Sequence, residues 1–227
     1  MSAERSLPPD DLSAARPRGF GPLGILSMLV ILAGVLGCAS APPTPPPAPA
    51  RAAAGGSRTL DDMLRGDLAD DHAFQWSATR PLTWSDFQGT PPTEGSEGAK
   101  TSYTLYYAWK CRGETFEFRA IAGFRSRESW VKAVVRNDAT QQRTILGHEQ
   151  THFDLAEVHA RRIRRAFADL TGPCARSDSE LSALAQRLAQ EEKVEQRRYD
   201  AETNHGLVAA RQAAWSLQTR RRLAASK

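Results

Sequence analysis

The sequence predicts an α+β fold, a small antiparallel sheet packed on long helices. Three observations carry that expectation. Thr101 to Cys111 alternates, with Tyr103, Leu105, Tyr107, Trp109 and Cys111 on one face; after Arg112-Gly113-Glu114, Thr115 to Phe124 alternates again through Phe116, Phe118, Ala120 and Ala122. Two alternating runs around a short turn make a β-hairpin. From Thr140 to Leu170, Ile145, Glu149, His152, Ala156, Ile163 and Phe167 recur at a helical period, and Thr171-Gly172-Pro173 stops the run. Third, Ser177-x-x-Glu180 is a capping box opening another helix, with Leu181, Leu184 and Leu188 on its buried face.

The segments before the hairpin read as a leader and a tether. Arg5, Arg16 and Arg18 precede an uncharged stretch from Gly19 to Gly37, apolar at its centre and ending in small residues. That is the layout of an export signal, and it falls short of the roughly 20 apolar residues a membrane span needs. Gly37-Cys38 resembles a bacterial lipobox, so residues 1–38 are expected to be a lipoprotein signal peptide with lipid carried on Cys38. An uncleaved membrane anchor is the alternative. Either places the remainder outside the cytoplasm, in the cell envelope; Ala39 suggests the outer membrane, facing the periplasm. Residues 39–73 read as a Pro/Ala-rich tether followed by a short acidic segment. Residues 74–227 read as the folded domain, and Ser129 to Val135 is expected to add a strand.

Composition narrows the function. The 227 residues are 41% hydrophobic and 25% charged, a globular mixture. A net charge of +4 is too small to make nucleic acid the expected partner. Three cysteines without a C-x-x-C pair exclude a disulfide-dense scaffold and a Cys-type zinc site. With Cys38 lipidated, Cys111 and Cys174 remain as an even pair, expected to tie the sheet to a helix end as a disulfide; buried free thiols are the alternative. The basic runs at Arg161-Arg162-x-Arg164-Arg165 and Arg220-Arg221-Arg222 read as solvated helix faces.

Chemistry concentrates in Ile145-Leu146-Gly147-His148-Glu149-Gln150-Thr151-His152-Phe153, which places H-E-x-x-H on the first long helix. Residues four apart share a helical face, so the imidazoles of His148 and His152 can converge on one Zn²⁺. Glu149 sits beside them, where it can take a proton from a metal-activated water and later give it to a leaving amine. His159 is about 10 Å further along the helix axis and is expected to be a core group or a support to the ligands. Asp154 lies about 200° round the helix from His152, a poor position for a ligand. His72 has no partner motif. The third ligand is sought in Tyr199-Asp200-Ala201-Glu202-Thr203-Asn204-His205-Gly206, where the stripe of Leu181, Leu184 and Leu188 continues to Glu195, Tyr199 and Glu202. His205 is the expected ligand, because His-Gly lets the chain turn toward the pair. Glu202 is the alternative. Tyr199 is expected to stabilise the oxyanion.

Several pieces occur in order across the domain: Leu82-Thr83-Trp84-Ser85-Asp86-Phe87-Gln88-Gly89, Ser129-Trp130-Val131, Leu146 to Asp154, and Tyr199-Asp200-x-Glu202-Thr203-x-His205-Gly206 with Gln212 and Trp215. In these the chain resembles a bacterial family of predicted secreted zinc-dependent proteases. The resemblance implies a zincin-like domain that holds one zinc and acts on a protein or peptide substrate in the envelope. Two other readings stay open: a non-catalytic envelope binding module with a structural metal, and a zinc amidase acting on peptidoglycan peptides.

Overall fold

The computed structural model describes residues 59–225. The expected signal peptide, the lipid-bearing Cys38 and most of the tether lie outside the described residues.

Strands β3 (Tyr103–Arg112) and β4 (Thr115–Arg125) form the hairpin that the alternation predicts, in register from Tyr103 opposite Phe124 to Arg112 opposite Thr115. Gly113 takes φ +59° in the tight connection, a conformation costly for residues with a Cβ. A short strand, β1 (Ala73–Gln75), pairs with the other edge of β4 and completes an antiparallel β1-β4-β3 sheet. Beside it, β2 (Ala99–Lys100) and β5 (Trp130–Val131) make a two-stranded antiparallel ribbon. The strand expected from Ser129 to Val135 is thus shorter, passing into the helical turn α2 (Ala133–Arg136).

Both faces of the larger sheet are covered. On one, Trp109 and Ala120 meet Ile163 and Phe167 of α3 (Ala139–Ala168) and Leu181 and Ala185 of α4 (Asp178–Thr203). The Phe118 and Phe167 rings stack there with centroids 3.9 Å apart. Further along the same face, Ala122 and Phe124 meet Phe153, Ala156 and Ala160 of α3. Each large apolar side chain fully buried in this layer contributes roughly 1.5–3 kcal/mol.

On the other face, Tyr106, Ala108 and Ile121 are covered by Leu60, Leu64 and Leu68 of α1 (Leu60–Asp70). The acidic segment, expected to lie with the tether before residue 74, thus packs against the sheet as α1. Its three leucines, four residues apart, form a stripe that the sheet buries, and Thr59 with Asp62 closes a capping box at the helix start.

Asp138 caps α3 by accepting from the backbone N–H groups of Thr140 and Gln141. The predicted capping box of Ser177 and Glu180 opens α4. Helices α3 and α4 run antiparallel, since Phe167 packs near Leu181 at one end and His148 meets Asp200 at the other. A last helix, α5 (Ala209–Ala225), brings Trp215 against Leu155 and Tyr199. Cys111, near the end of β3, is disulfide-bonded to Cys174, which follows α3, with Cα atoms 5.8 Å apart. Among the described residues no helix is long and apolar enough to cross a membrane.

Candidate functional site

The four-residue spacing on α3 brings the rings of His148 and His152 to a centroid distance of 4.6 Å, with their Nε2 atoms 3.0 Å apart. Facing them from α4 is Asp200, whose Oδ1 lies 3.1 Å from His148 Nε2 and 2.9 Å from His152 Nε2. Three polar atoms from two helices therefore stand at the corners of a nearly equilateral triangle.

Side chains behind the rings fix their tautomers. Gln196 donates from Nε2 to the backbone carbonyl of His152 (3.0 Å), which can only accept, so its Oε1 faces His152 Nδ1 at 2.6 Å. His152 must therefore carry its proton on Nδ1. Gln212 acts likewise on His148: its Oε1 lies 3.1 Å from Nδ1, while its Nε2 donates to Ser216 Oγ at 3.0 Å. A neutral ring held this way turns its Nε2 lone pair toward Asp200 Oδ1, and a protonated ring donates to it. With both rings neutral, three acceptors stand about 3 Å apart, an arrangement that a proton or a metal cation between them relieves. His148, Asp200 and His205 offer ligand atoms within 4.8 Å of one another and could hold a metal ion, with His152 completing the set from the α3 side.

The charge balance agrees. Burial pushes the Asp200 carboxyl up, but hydrogen bonds and charge from His148 and His152 outweigh it and hold the group well below the usual carboxylate range. Burial pulls His152 down, yet Asp200 and Glu149 hold it above its ordinary value. Positive charge is favoured between them.

Glu149 is 3% exposed, and its Oε2 has no hydrogen-bond partner among the described residues. A buried carboxylate oxygen without a partner carries a large desolvation cost. It lines a cavity of about 280 Å³ together with His148, His152, Asp200, His205 and residues 97–101.

Other sequence-predicted residues fall in different places. His205 stands at the cavity wall, half-exposed, with Nδ1 3.6 Å from Asp200 Oδ1; it belongs to the group but lies outside the tight triangle. Glu202, the alternative ligand, is turned away: it accepts from Trp215 Nε1 at 2.8 Å and pairs with Arg198 at 2.9 Å. The oxyanion role expected of Tyr199 is also corrected. Tyr199 is fully buried behind His148, its ring stacked on the imidazole at 4.7 Å and its hydroxyl donating to Gln212 Oε1 at 2.7 Å. It braces the His148 ring instead of facing the cavity. His159 is buried against Glu195 (2.6 Å), away from the triangle.

Sequence reasoning missed Asp200, Gln196 and Gln212. Asp200 was in view within the Tyr-Asp-x-Glu-Thr-x-His-Gly piece; a signal for it was its position four residues after Gln196, on the same helical face.

The match with known proteins covers this site. A family model described as a bacterial protein of unknown function (DUF922) matches residues 89–206, more than half of the chain and every residue of the triangle. No curated protein and no solved structure matches the chain.

Proposed function

Starting from a chain that belongs to the DUF922 family of bacterial proteins of unknown function, we propose that it is a zinc-dependent peptidase of the bacterial cell envelope. The observation that carries this reading is the unpartnered, buried Oε2 of Glu149 beside three converging acceptors. In a tetrahedral zinc site with bonds of about 2.0–2.1 Å, neighbouring ligand atoms lie roughly 3.3 Å apart. The edges of 2.9, 3.0 and 3.1 Å between Asp200 Oδ1, His152 Nε2 and His148 Nε2 are close to that spacing. His148, His152 and Asp200 would hold the ion.

Zinc, when bound, supplies Lewis-acid polarisation of a scissile carbonyl and lowers the pKa of water. The chain's own residues do the rest. Glu149 takes a proton from the attacking water on its free oxygen and returns it to the leaving amine nitrogen. Gln196 and Gln212 keep both Nε2 atoms deprotonated and aimed inward. The sequence features at Arg5 to Cys38 support export and a lipid anchor at the membrane. Mass spectrometry of the mature N-terminus should find a diacylglyceryl-modified Cys38, and cleavage elsewhere would remove that part of the proposal.

A second reading has its own observation. His205 is near enough to Asp200 to serve as a fourth protein ligand. Four protein ligands would make a closed, structural site in a binding module. An amidase on peptidoglycan peptides would share the centre and differ only in substrate. The test is to incubate zinc-loaded full chain, wild type and Glu149→Gln, with envelope proteins and separately with muropeptides. The proposal expects new peptide termini from envelope proteins with the wild type, and at least a 100-fold loss in the variant at equal zinc content. Cleavage of muropeptides alone would favour the amidase, and no difference between the two forms would favour the structural site.

A further inference from the structure

Glu192, on α4, is 2% exposed and takes no part in the chemistry at Glu149. Burying a carboxylate is costly unless its oxygens have donors and its charge has a counterpart. Glu192 Oε1 receives two hydrogen bonds, from the Tyr103 hydroxyl at 2.6 Å and from Gln196 Nε2 at 2.7 Å. Gln196 in turn is the amide whose Oε1 faces His152 Nδ1 at 2.6 Å. Tyr103 on β3, Glu192 and Gln196 on α4, and His152 on α3 thus form one hydrogen-bonded row that ends at the histidine pair.

The row fixes which way the Gln196 amide faces. An amide Nε2 carries two hydrogens. In Gln196 one goes to the backbone carbonyl of His152 at 3.0 Å and the other to Glu192. A carbonyl and a carboxylate only accept, so neither tolerates the amide turned over, with its oxygen in the place of Nε2. The amide behind His148 is held differently. Gln212 meets the hydroxyls of Tyr199 and Ser216, and a hydroxyl can donate or accept. The carboxylate stop belongs to the His152 side.

Resting on the zinc-peptidase reading, we infer that Glu192 and Tyr103 are positioning residues for His152. Glu192 holds Gln196 so that its Oε1 is always offered to the Nδ1 hydrogen of His152, which leaves Nε2 bare toward the ion. Tyr103 holds Glu192 by giving it the single hydroxyl hydrogen. Although Tyr103 lines the cavity, that hydrogen is committed to Glu192 and does not face a substrate oxygen. In many zinc sites a carboxylate touches the ligand histidine directly. Here Gln196 stands between them, and the charge of Glu192 acts on the ion through the polarised amide.

The test follows the Nδ1–H resonances of His152 and His148 by NMR in the zinc-loaded full chain, together with zinc affinity, for wild type, Glu192→Gln and Tyr103→Phe. Glutamine keeps the shape of Glu192 but can donate as well as accept, and phenylalanine keeps the Tyr103 ring without its hydroxyl. In both variants the His152 Nδ1 hydrogen should exchange with solvent at least about threefold faster, and that of His148 less than about twofold faster. Zinc affinity should fall about three- to tenfold, the worth of about one hydrogen bond. Unchanged exchange and affinity in the folded, zinc-loaded variants overturns the positioning role and leaves the peptidase reading standing. Equal acceleration at both histidines also overturns it, because a loosened helix pair acts on both alike. A wild-type chain that takes up no zinc overturns both.

Discussion

Gly206 lies directly against the imidazole of His148. A Cβ at this glycine would come within 2.9 Å of His148 Cβ and 3.1 Å of Cγ, and the residue holds φ +84°. After Thr203 ends α4, Asn204 and His205 also take positive φ, so three successive left-handed residues return the chain under the ring. The glycine in the His-Gly pair is thus required by contact with the His148 ring and by backbone conformation together.

Gly206→Ala should therefore lower stability by roughly 1–3 kcal/mol, through strain and displacement of a buried ring. Chemical denaturation of wild type and variant would measure it. Equal stability would show that the turn relaxes without disturbing His148.

The orienting amides give a second expectation. Gln196→Ala removes the acceptor on His152 Nδ1 and frees the tautomer. Zinc affinity should fall about 10- to 100-fold, read by competition with a chelating dye. An unchanged affinity would mean that Gln196 serves only the helix interface.

The sequence carried the helix with the histidine pair because i and i+4 neighbours are local. It carried the hairpin because both strands alternate around a short turn. Asp200 was harder to read. The stripe drawn through Leu181, Leu184, Leu188, Glu195, Tyr199 and Glu202 drifts from the observed one, in which Leu181, Ala185, Glu192, Gln196, Tyr199 and Thr203 are buried. Glu192 and Gln196 sit in a run of charged residues that reads as solvated, and only the packing of α3 buries them. Tyr103 donates to Glu192 at 2.6 Å, a partner 89 residues away that no local pattern announces. Likewise, Gln150 and Asp154 have structural roles: Gln150 accepts from Leu82 N–H and donates to Asp154, which also accepts from Trp76 Nε1. Strands β2 and β5 span two residues each, too few for alternation to show.

Acid should release a network beside the site. Burial pushes the Glu195 carboxyl up, but His159 and Arg222 outweigh it and bring the group from 4.5 down to about 2. Glu192 lies one turn before it on α4. A depressed carboxyl contributes stability that is fully present above its ordinary value and is lost as pH falls through the folded value. The stability difference between wild type and Glu195→Gln should therefore be constant above about pH 5 and shrink as pH falls from 4.5 toward about 2. A difference independent of pH over that window would contradict the assignment.

Reduction of the disulfide between Cys111 and Cys174, 63 residues apart in sequence, should cost about 2–4 kcal/mol. Cys111→Ser/Cys174→Ser should show the same loss in urea unfolding. A loss confined to the reduced wild type would point instead to thiol chemistry.

The central claim, that Asp200 joins His148 and His152 in holding zinc, is tested most directly by zinc titration of the full chain, its Asp200→Asn variant and its His205→Ala variant. The account predicts one zinc per wild-type chain, with affinity lowered far more by Asp200→Asn than by His205→Ala. Undiminished zinc binding by Asp200→Asn, or a larger loss in His205→Ala, would contradict it.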